Sequence, residues 1–176
     1  MKIFNSNRVI FCWNVIDLGF SERVISKLLE YNRTKDNENI ITLLINSSGG
    51  NTTDAFAISD MIKQLDIKVR TVALGQVYSA AVVLLLSGTK QERYATKHTD
   101  FLIHQYNWQS QEHARYSELM LRRDKEDEIV EKLTDFYAKN SKLKKKEIEE
   151  ILKKGRDFYF DAKTALKFGI VDKIIP

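Results

Sequence analysis

Hydrophobic and polar positions along the chain fall into segments that switch between two periods. Continuous apolar runs of strand length predict strands at 8–13, 40–45, 69–74, 93–96, 101–104 and 170–175. Apolar positions three or four residues apart predict helices at 22–32, 54–65, 80–86, 144–154 and 162–168, the first of them capped by Ser21. Strands that alternate with helices are typical of an α/β fold in which crossover units build a parallel sheet.

A highly charged stretch at 110–140 predicts one long helix with a narrow apolar stripe. The stripe consists of Leu119, Leu121, Ile129, Val130, Leu133, Phe136 and Tyr137. Such a helix is too long to pack wholly on a domain of this size. We therefore expect it to protrude and its stripe to need a partner.

The charge balance changes this picture little. The 176 residues carry 28 Lys and Arg against 24 Asp and Glu, a net charge of +4, and 43% of them are hydrophobic. The basic excess is local, at 142–146 and 153–154, without the interleaved aromatic side chains that stack on bases. We therefore expect a compact globular chain with a solvated basic helix face, and no nucleic acid as a partner.

The sequence has no pattern typical of a metal site, a disulfide or a membrane span. Cys12 is the single cysteine, which excludes an internal disulfide and fits a reducing compartment. His98, His104 and His113 lack the spacing of a helical metal site. The N-terminal residues lack a secretory apolar core, and the longest apolar run is too short to cross a bilayer. We expect a cytoplasmic protein that uses no metal and no cofactor.

The stretch 75–88 holds the first candidate for chemistry. Ser79 follows an apolar strand and precedes seven apolar residues, 80–86, that suit a short helix buried on all sides. A serine at such a turn projects its hydroxyl, and the N–H groups that follow it are unpaired and can stabilise an oxyanion. The commoner role of a serine at this position is to N-cap the helix, so both interpretations stay open at this point.

A glycine turn and a histidine also follow predicted strands. Gly49 and Gly50 come after the strand at 40–45, and His104 closes the strand at 101–104. Because the carboxyl ends of parallel strands meet at one edge of a sheet, the glycine turn should bring a second backbone N–H near Ser79. A histidine that closes an apolar strand is more often a hydrogen-bonded core residue than a base.

Six motifs follow one another over almost the whole chain. They are RVIF with ID at 8–11 and 16–17, INSSGG at 45–50, GQVYS at 75–79, LIHQ at 102–105, RD at 156–157 and ALKFGIVD at 165–172. Each motif alone is weak, but as an ordered set they strongly resemble the proteolytic subunit family of the Clp protease. The resemblance implies a serine endopeptidase with a catalytic triad.

The resemblance assigns a role to five residues. Ser79 would be the nucleophile and His104 the general base and later acid, while Asp157 would hold and stabilise the imidazole. The backbone N–H groups of Gly50 and Ala80 would form the oxyanion hole. Asp157 has two rivals, for which structural roles are expected: Asp161 at a helix N-cap and Asp172 within the last strand.

The resemblance also implies the architecture and the assembly. It predicts an α/β fold of the Clp/crotonase type, with repeated β-β-α or βα units and a protruding long handle helix in the region of about 106–140. Residues 1–176 would form a single domain. Identical subunits would form stacked rings through the handle, with peptides or unfolded proteins as substrates, and the other ring would be the partner that the stripe needs.

The chain departs from the family in three places. Ser48 replaces a proline, Tyr78 and Ala80 replace the alanine and methionine that flank the serine, and 106–110 replaces a glycine-rich stretch of the substrate groove. Only seven residues precede Arg8, where the family has a longer segment that gates the pore and helps dock an ATP-driven unfoldase. We therefore expect peptide hydrolysis without ATP and weak docking of such an unfoldase.

Two other functions stay open on sequence alone. A crotonase-like acyl-CoA enzyme uses the same fold and a two-N–H oxyanion hole, but it does not need Ser79, His104 and Asp157 together. A non-catalytic or regulatory ring subunit that pairs with a paralogue fits the altered groove, although the intact triad argues against it.

Overall fold

Seven strands and six helices make up the part of the chain that the computed structural model describes, residues 7–34, 40–106, 115–154 and 157–176. The strands are β1 (Val9–Trp13), β2 (Ile40–Ser47), β3 (Lys68–Tyr78), β4 (Arg93–Thr96), β5 (Asp100–Ile103), β6 (Phe158–Asp161) and β7 (Lys173–Ile175). The helices are α1 (Leu18–Arg33), α2 (Thr52–Lys63), α3 (Ala80–Leu86), α4 (Tyr116–Asn140), α5 (Lys145–Lys153) and α6 (Ala162–Lys167). Strands and helices alternate over most of the chain, as the hydrophobic pattern predicts.

The sheet is mostly parallel. Strands β1, β2, β3, β4 and β7 lie side by side in that order, and each adjacent pair is parallel. The second half of β3 also pairs with β5 in parallel, and β6 runs antiparallel to β5. This mixed α/β architecture with a mostly parallel sheet confirms the predicted fold class.

Strand β3 is longer than its apolar run predicts. The run ends at Leu74, but the strand continues through Gly75 to Tyr78. Gly75 has a φ of 66°, a conformation that glycine adopts without a steric cost, and the register with β2 shifts beside it, between Ile45 and Ser47. The irregularity lets the first half of β3 pair with β4 and the second half with β5, which carries the strand on to Ser79.

The core lies between the sheet and helices α1, α2 and α3. All seven residues of α3 are buried, as predicted for a helix enclosed on every side. Cys12 is buried in β1, and burial raises the pKa of its thiol to about 12, so the thiol is neutral near pH 7.

Helix α1 begins earlier than predicted. Its N-cap is Asp17, whose Oδ1 accepts a hydrogen bond of 2.8 Å from the Phe20 N–H. Ser21 is therefore not the cap, and its hydroxyl contacts the Leu18 carbonyl at 3.0 Å and Asp54 at 3.1 Å. Asp17 is the cap because the helix extends back through Phe20 and Gly19 to Leu18, which puts Asp17 directly before its first residue.

The long helix α4 has two unlike halves. Val130, Leu133 and Tyr137 in its C-terminal half are buried against their own subunit, so that part of the stripe needs no partner. Leu119 and Leu121 in its N-terminal half are exposed. Residues 107–114, where the handle was predicted to begin, lie outside the described residues. Within the described ranges, no helix is both long and apolar enough to span a membrane.

The last elements differ from the prediction at one point. Asp161 N-caps α6, as predicted, and Gly169, with a φ of 65°, lies just after that helix. The final strand, however, is only Lys173–Ile175, so Asp172 lies before it and not within it.

Candidate active site

The turn at Ser79 joins β3 directly to α3. Its backbone has a φ of 55° and a ψ of −124°, which is uncommon for a residue other than glycine and costs free energy. Two hydrogen bonds hold the turn: the Ser79 N–H donates to the Leu102 carbonyl at 2.8 Å, and the Val82 N–H donates to the Ser79 carbonyl at 3.0 Å. A strained serine held between a strand and a buried helix is typical of functional sites.

The Ser79 hydroxyl does not cap α3. Although Ser79 occupies the N-cap position, its side chain makes no capping hydrogen bond. The interpretation of Ser79 as an ordinary N-cap is therefore wrong. The half-buried side chain lines a cavity of about 250 Å³ at the carboxyl edge of the sheet.

The glycine turn after β2 packs against the serine turn. A Cβ on Gly49 would lie 2.6 Å from the Tyr78 carbonyl oxygen and 2.7 Å from the Ser79 Cβ, so only glycine fits there. A Cβ on Gly50 would overlap the backbone of Ile16. That contact is a short parallel bridge, in which the Ile16 N–H donates to the Gly49 carbonyl at 2.8 Å and the Asn51 N–H donates to the Ile16 carbonyl at 2.7 Å.

The N–H groups of Gly50 and Ala80 are the two oxyanion-hole candidates. In the bridge to Ile16 the hydrogen bonds are made by the neighbours of Gly50, which leaves its own N–H directed to the other side. The Ala80 N–H belongs to the first turn of α3, where helices lack internal acceptors. Both residues line the cavity, and neither N–H has an acceptor in the part of the chain that the structure describes. These are two backbone donors beside one serine hydroxyl.

His104 lies at the same edge of the sheet. It directly follows β5, which pairs with β3 so that Leu102 is opposite Tyr78. The side chain of His104 is half-buried and lines the cavity together with Ser79. Among the described residues, no hydrogen bond joins its ring to Ser79.

The register of β5 and β6 places Asp157 next to His104. Ile103 is opposite Phe158, so continuing the antiparallel register by one residue sets Asp157 opposite His104. Asp157 is exposed and does not contribute to the cavity wall. Within the described ranges its carboxylate has no hydrogen bond to His104. The structure thus brings the two residues to adjacent strand ends without joining their side chains.

Asp161 and Asp172 have structural partners elsewhere. Asp161 lies at the opposite end of β6, and it accepts a hydrogen bond of 2.8 Å from the Thr164 N–H, which lowers the pKa of its carboxyl. Asp172 forms a two-point ion pair with Arg93, with Nη2 at 2.7 Å from Oδ1 and Nε at 3.0 Å from Oδ2. Neither lines the cavity, and both carboxylates are engaged in holding the fold.

The inner wall of the cavity was missed from the sequence. It includes Ile103, Leu133, Leu152 and Tyr137, and burial raises the pKa of the Tyr137 hydroxyl. Leu133 and Tyr137 were assigned to a stripe that meets another subunit. Their spacing of four residues, which puts both on one face of α4, was the pattern that could have revealed a shared wall.

Comparisons with known proteins identify the family of this chain. The structure is a mixed α/β protein with a mostly parallel sheet that carries a serine turn and a glycine turn at its carboxyl edge. The family model for "Clp protease" matches residues 1–176. The chain belongs to the Clp protease family, which confirms the resemblance inferred from the motifs.

Three curated relatives match 96% of this chain. An ATP-dependent Clp protease proteolytic subunit 2 from Thermobifida fusca (strain YX) is 31% identical over 169 residues, 80% of that relative. An ATP-dependent Clp protease proteolytic subunit from Porphyromonas gingivalis (strain ATCC BAA-308 / W83) is 32% identical over 170 residues, 74% of its length. An ATP-dependent Clp protease proteolytic subunit 1 from Rhodopirellula baltica (strain DSM 10527 / NCIMB 13988 / SH1) is 31% identical over 175 residues, 72% of its length.

Proposed function

We propose that this chain is a serine endopeptidase that hydrolyses peptides or unfolded polypeptides inside a ring-shaped homo-oligomer. The observation that carries the proposal is the strained Ser79, whose hydroxyl is not used for capping and lines a cavity with two unpaired backbone N–H groups. Family membership supports a peptidase as the activity. No metal or cofactor is needed for this chemistry.

In the acylation step, Ser79 Oγ attacks the carbonyl carbon of the scissile peptide bond while His104 accepts the hydroxyl proton. Negative charge develops on the carbonyl oxygen, and the N–H groups of Gly50 and Ala80 stabilise it. The C–N bond then breaks, and His104 gives its proton to the departing amine. The product is an ester between Ser79 and the N-terminal part of the substrate.

In the deacylation step, a water molecule attacks this ester and passes a proton to His104. The same two N–H groups stabilise the second tetrahedral intermediate. When the bond to Ser79 Oγ breaks, His104 returns the proton to the serine, and the carboxylic acid product leaves. The chain is then ready for another substrate.

Asp157 acts on His104 and not on the substrate. A carboxylate at the imidazole holds one tautomer and stabilises the imidazolium that forms in each step. The register of β5 and β6, continued by one residue, sets Asp157 opposite His104, and its exposed side chain would turn toward the imidazole. We propose that assembly into the ring favours this aligned arrangement.

Two exposed apolar surfaces support the assembly. Leu119, Met120 and Leu121 are exposed on α4, and Phe11 and Trp13 are exposed on β1 at the edge of the sheet. The relatives are proteolytic subunits of ATP-dependent proteases by name. We extend to this chain a cytoplasmic ring of single-domain subunits, residues 1–176.

The decisive experiment is labelling with a serine-reactive fluorophosphonate, followed by mass spectrometry of the labelled peptide. We expect one modification, on Ser79, that tracks the loss of peptide hydrolysis. The Ser79→Ala variant is the matched control and should neither react nor hydrolyse. If Ser79 stays unlabelled in a correctly assembled ring, the chain is a non-catalytic subunit.

A further inference from the structure

A second groove lies beside the candidate active site, between α2 and α4, with a volume of about 730 Å³. We call it the α2/α4 groove. Its floor is apolar and consists of Phe56 from α2 with Ile129 and Phe136 from α4. The rings of Phe56 and Phe136 meet edge to face, with centroids 5.4 Å apart. This pair makes a preformed apolar surface in the groove.

Lysines line the groove on both sides. Lys125, Lys132 and Lys139 are seven residues apart on α4, so they lie on one face of that helix, interleaved with the apolar floor residues. Lys63 of α2 lies across from them, with its Nζ 5.8 Å from the centroid of the Phe136 ring. The groove therefore combines an apolar floor with cationic edges.

Two of these four lysines form no direct ion pair within the described ranges, although the charge of Lys132 adds to the hydrogen bond from Lys125 in lowering the pKa of the Glu128 carboxyl. Lys125 pairs with Glu128 and Lys63 with Asp60, both at 2.9 Å. Lys132 and Lys139 have no ion pair in the part of the chain that the structure describes.

Asp135 also lines the groove, and its carboxylate is paired with a lysine of α5. It contacts Lys145 of α5 at 2.6 Å. The uncompensated charge on the side of the groove formed by α4 is positive.

The groove adjoins the cavity that holds Ser79 at Thr52. This residue begins α2 and lines both the cavity that holds Ser79 and the groove. The 12 residues of α2 extend about 18 Å at 1.5 Å per residue, a length that about five extended residues would cover. A polypeptide bound at Ser79 can therefore reach along the groove.

We propose that the α2/α4 groove binds the substrate chain about two to six residues from the scissile bond and favours a large apolar residue flanked by carboxylates. The apolar side chain packs on Phe56, Ile129 and Phe136. Acidic side chains face Lys132 and Lys139. The proposal deepens the proposed function and rests on it, because it assigns the site a substrate class.

Binding to the Ser79→Ala variant tests the groove without catalysis. The probes are fluorescent peptides that carry Glu-Phe-Glu or Lys-Phe-Lys, placed three residues before or after a central leucine, and the readout is anisotropy. For one placement we expect the acidic peptide to bind about three- to tenfold more tightly, as two exposed charge contacts allow. Raising the salt concentration should reduce the difference.

Reversing the charge of two groove lysines tests whether the preference for the acidic peptide arises in the groove. Lys132→Glu with Lys139→Glu, added to Ser79→Ala, should abolish or invert the preference. Lys163→Glu with Lys167→Glu is the matched control, because these lysines are also exposed and on one helix but outside the groove. The control changes the net charge equally and should keep the preference.

Three outcomes of the binding experiments overturn the proposal. The first is equal affinity for the two peptides in both placements. The second is an equal effect of the groove variant and the control, which assigns the preference to net charge. The third is a change in oligomeric state caused by Lys132→Glu with Lys139→Glu, which makes the groove a contact between subunits.

Hydrolysis of the same peptides by the wild-type chain separates this proposal from the proposed function. If hydrolysis depends on Ser79 but is equal for acidic and basic peptides, the groove does not select substrates, and the proposed peptidase function still holds. If the acidic peptide binds more tightly but neither peptide is hydrolysed, the proposed peptidase function is wrong, and the groove still selects acidic polypeptides.

Discussion

Ser79 has a backbone conformation, with a φ of 55°, that favours glycine. A residue other than glycine in such a conformation costs about 1–3 kcal/mol, and the hydroxyl gains no capping hydrogen bond in return. A residue selected only for folding would be glycine here. The strained serine at this position fits its proposed role as the nucleophile.

The first prediction separates the effect of Ser79 on stability from its effect on peptide hydrolysis. Ser79→Gly and Ser79→Ala should both abolish peptide hydrolysis, but Ser79→Gly should raise the free energy of unfolding by about 1 kcal/mol over Ser79→Ala, since only glycine relieves the strain. Urea unfolding and a peptide assay measure the two effects. Unchanged turnover in Ser79→Ala would remove Ser79 from the mechanism.

The second prediction concerns Asp157. Asp157→Asn should leave stability unchanged, because the side chain is exposed, and should lower kcat by about 10⁴-fold, the known effect of this substitution in a triad. Asp172→Asn should instead cost about 3 kcal/mol of stability, because it leaves the buried Arg93 guanidinium without its carboxylate. Asp161→Asn should change neither, since Asn is also a good N-cap.

Peptide kinetics and thermal unfolding of these three variants distinguish the carboxylates. Asp157 is the wrong residue if its variant keeps full activity while Asp161→Asn or Asp172→Asn, fully folded, loses it. If Asp172→Asn loses activity because part of the protein is unfolded, that loss says nothing about the role of Asp157.

The candidate site was only partly predictable at this scale. The candidates Ser79, His104 and Asp157 could be taken from the motifs of the family resemblance, and each lies next to the end of a strand. The free hydroxyl of Ser79 could not, since capping depends on backbone angles that several residue types can adopt. Tyr137 was missed because helical spacing tells which residues share a face but not what that face meets.

The elements position the site through two interlocked turns. The turn after β2 and the turn after β3 are in close contact at Gly49, so the two N–H groups proposed as the oxyanion hole belong to one rigid unit. Each turn follows a buried strand of a parallel sheet, which fixes their separation. The precision of the site therefore comes from the sheet and not from flexible loops.

The third prediction tests this contact. Gly49→Ala places a Cβ against the Tyr78 carbonyl and imposes a φ of 94° on alanine, so it should cost at least about 2 kcal/mol and abolish hydrolysis. Gly19→Ala is the matched control. Its Cβ would meet the nearest atom, Asp17 Oδ1, at 3.6 Å within a helix, and it should be neutral or stabilising.

Denaturation midpoints and peptide turnover measure both glycine variants. Equal behaviour of Gly49→Ala and the wild type would show that the two turns are not rigidly coupled. A destabilised Gly19→Ala would show that stability alone cannot identify the critical glycine.

The elements themselves followed well from periodicity, with errors at their ends. Strand β3 passes through Gly75, where a bulge replaces the expected stop, because glycine both ends strands and permits irregular ones. Helix α1 starts at the earlier of two possible caps. The pairing of β3 with both β4 and β5 has no local pattern, because it depends on which strands meet in the folded sheet.

At the scale of the whole molecule, α4 serves three surfaces. One face contributes Leu133 and Tyr137 to the active-site cavity, and a second places lysines along the α2/α4 groove. Its N-terminal part exposes Leu119 and Leu121, which no described residue of the subunit covers. The sequence suggested one stripe with one partner. The sequence could not predict which part of α4 is buried against its own subunit and which part is exposed, because this depends on how far the subunit's core extends.

The last prediction is that these exposed leucines hold subunits together. Leu121 is 70% exposed and Leu119 is 49% exposed, whereas Leu133 is only 5% exposed and would unfold the subunit if charged. Leu119→Lys with Leu121→Lys should therefore break the assembly without changing the subunit fold, and should lower peptidase activity if alignment of the triad depends on the ring. Leu166→Lys on α6, 38% exposed, is the matched control and should leave the assembly intact. Light scattering and circular dichroism provide the measurements. A wild-type chain that remains a 20.5 kDa monomer at micromolar concentration would contradict the ring.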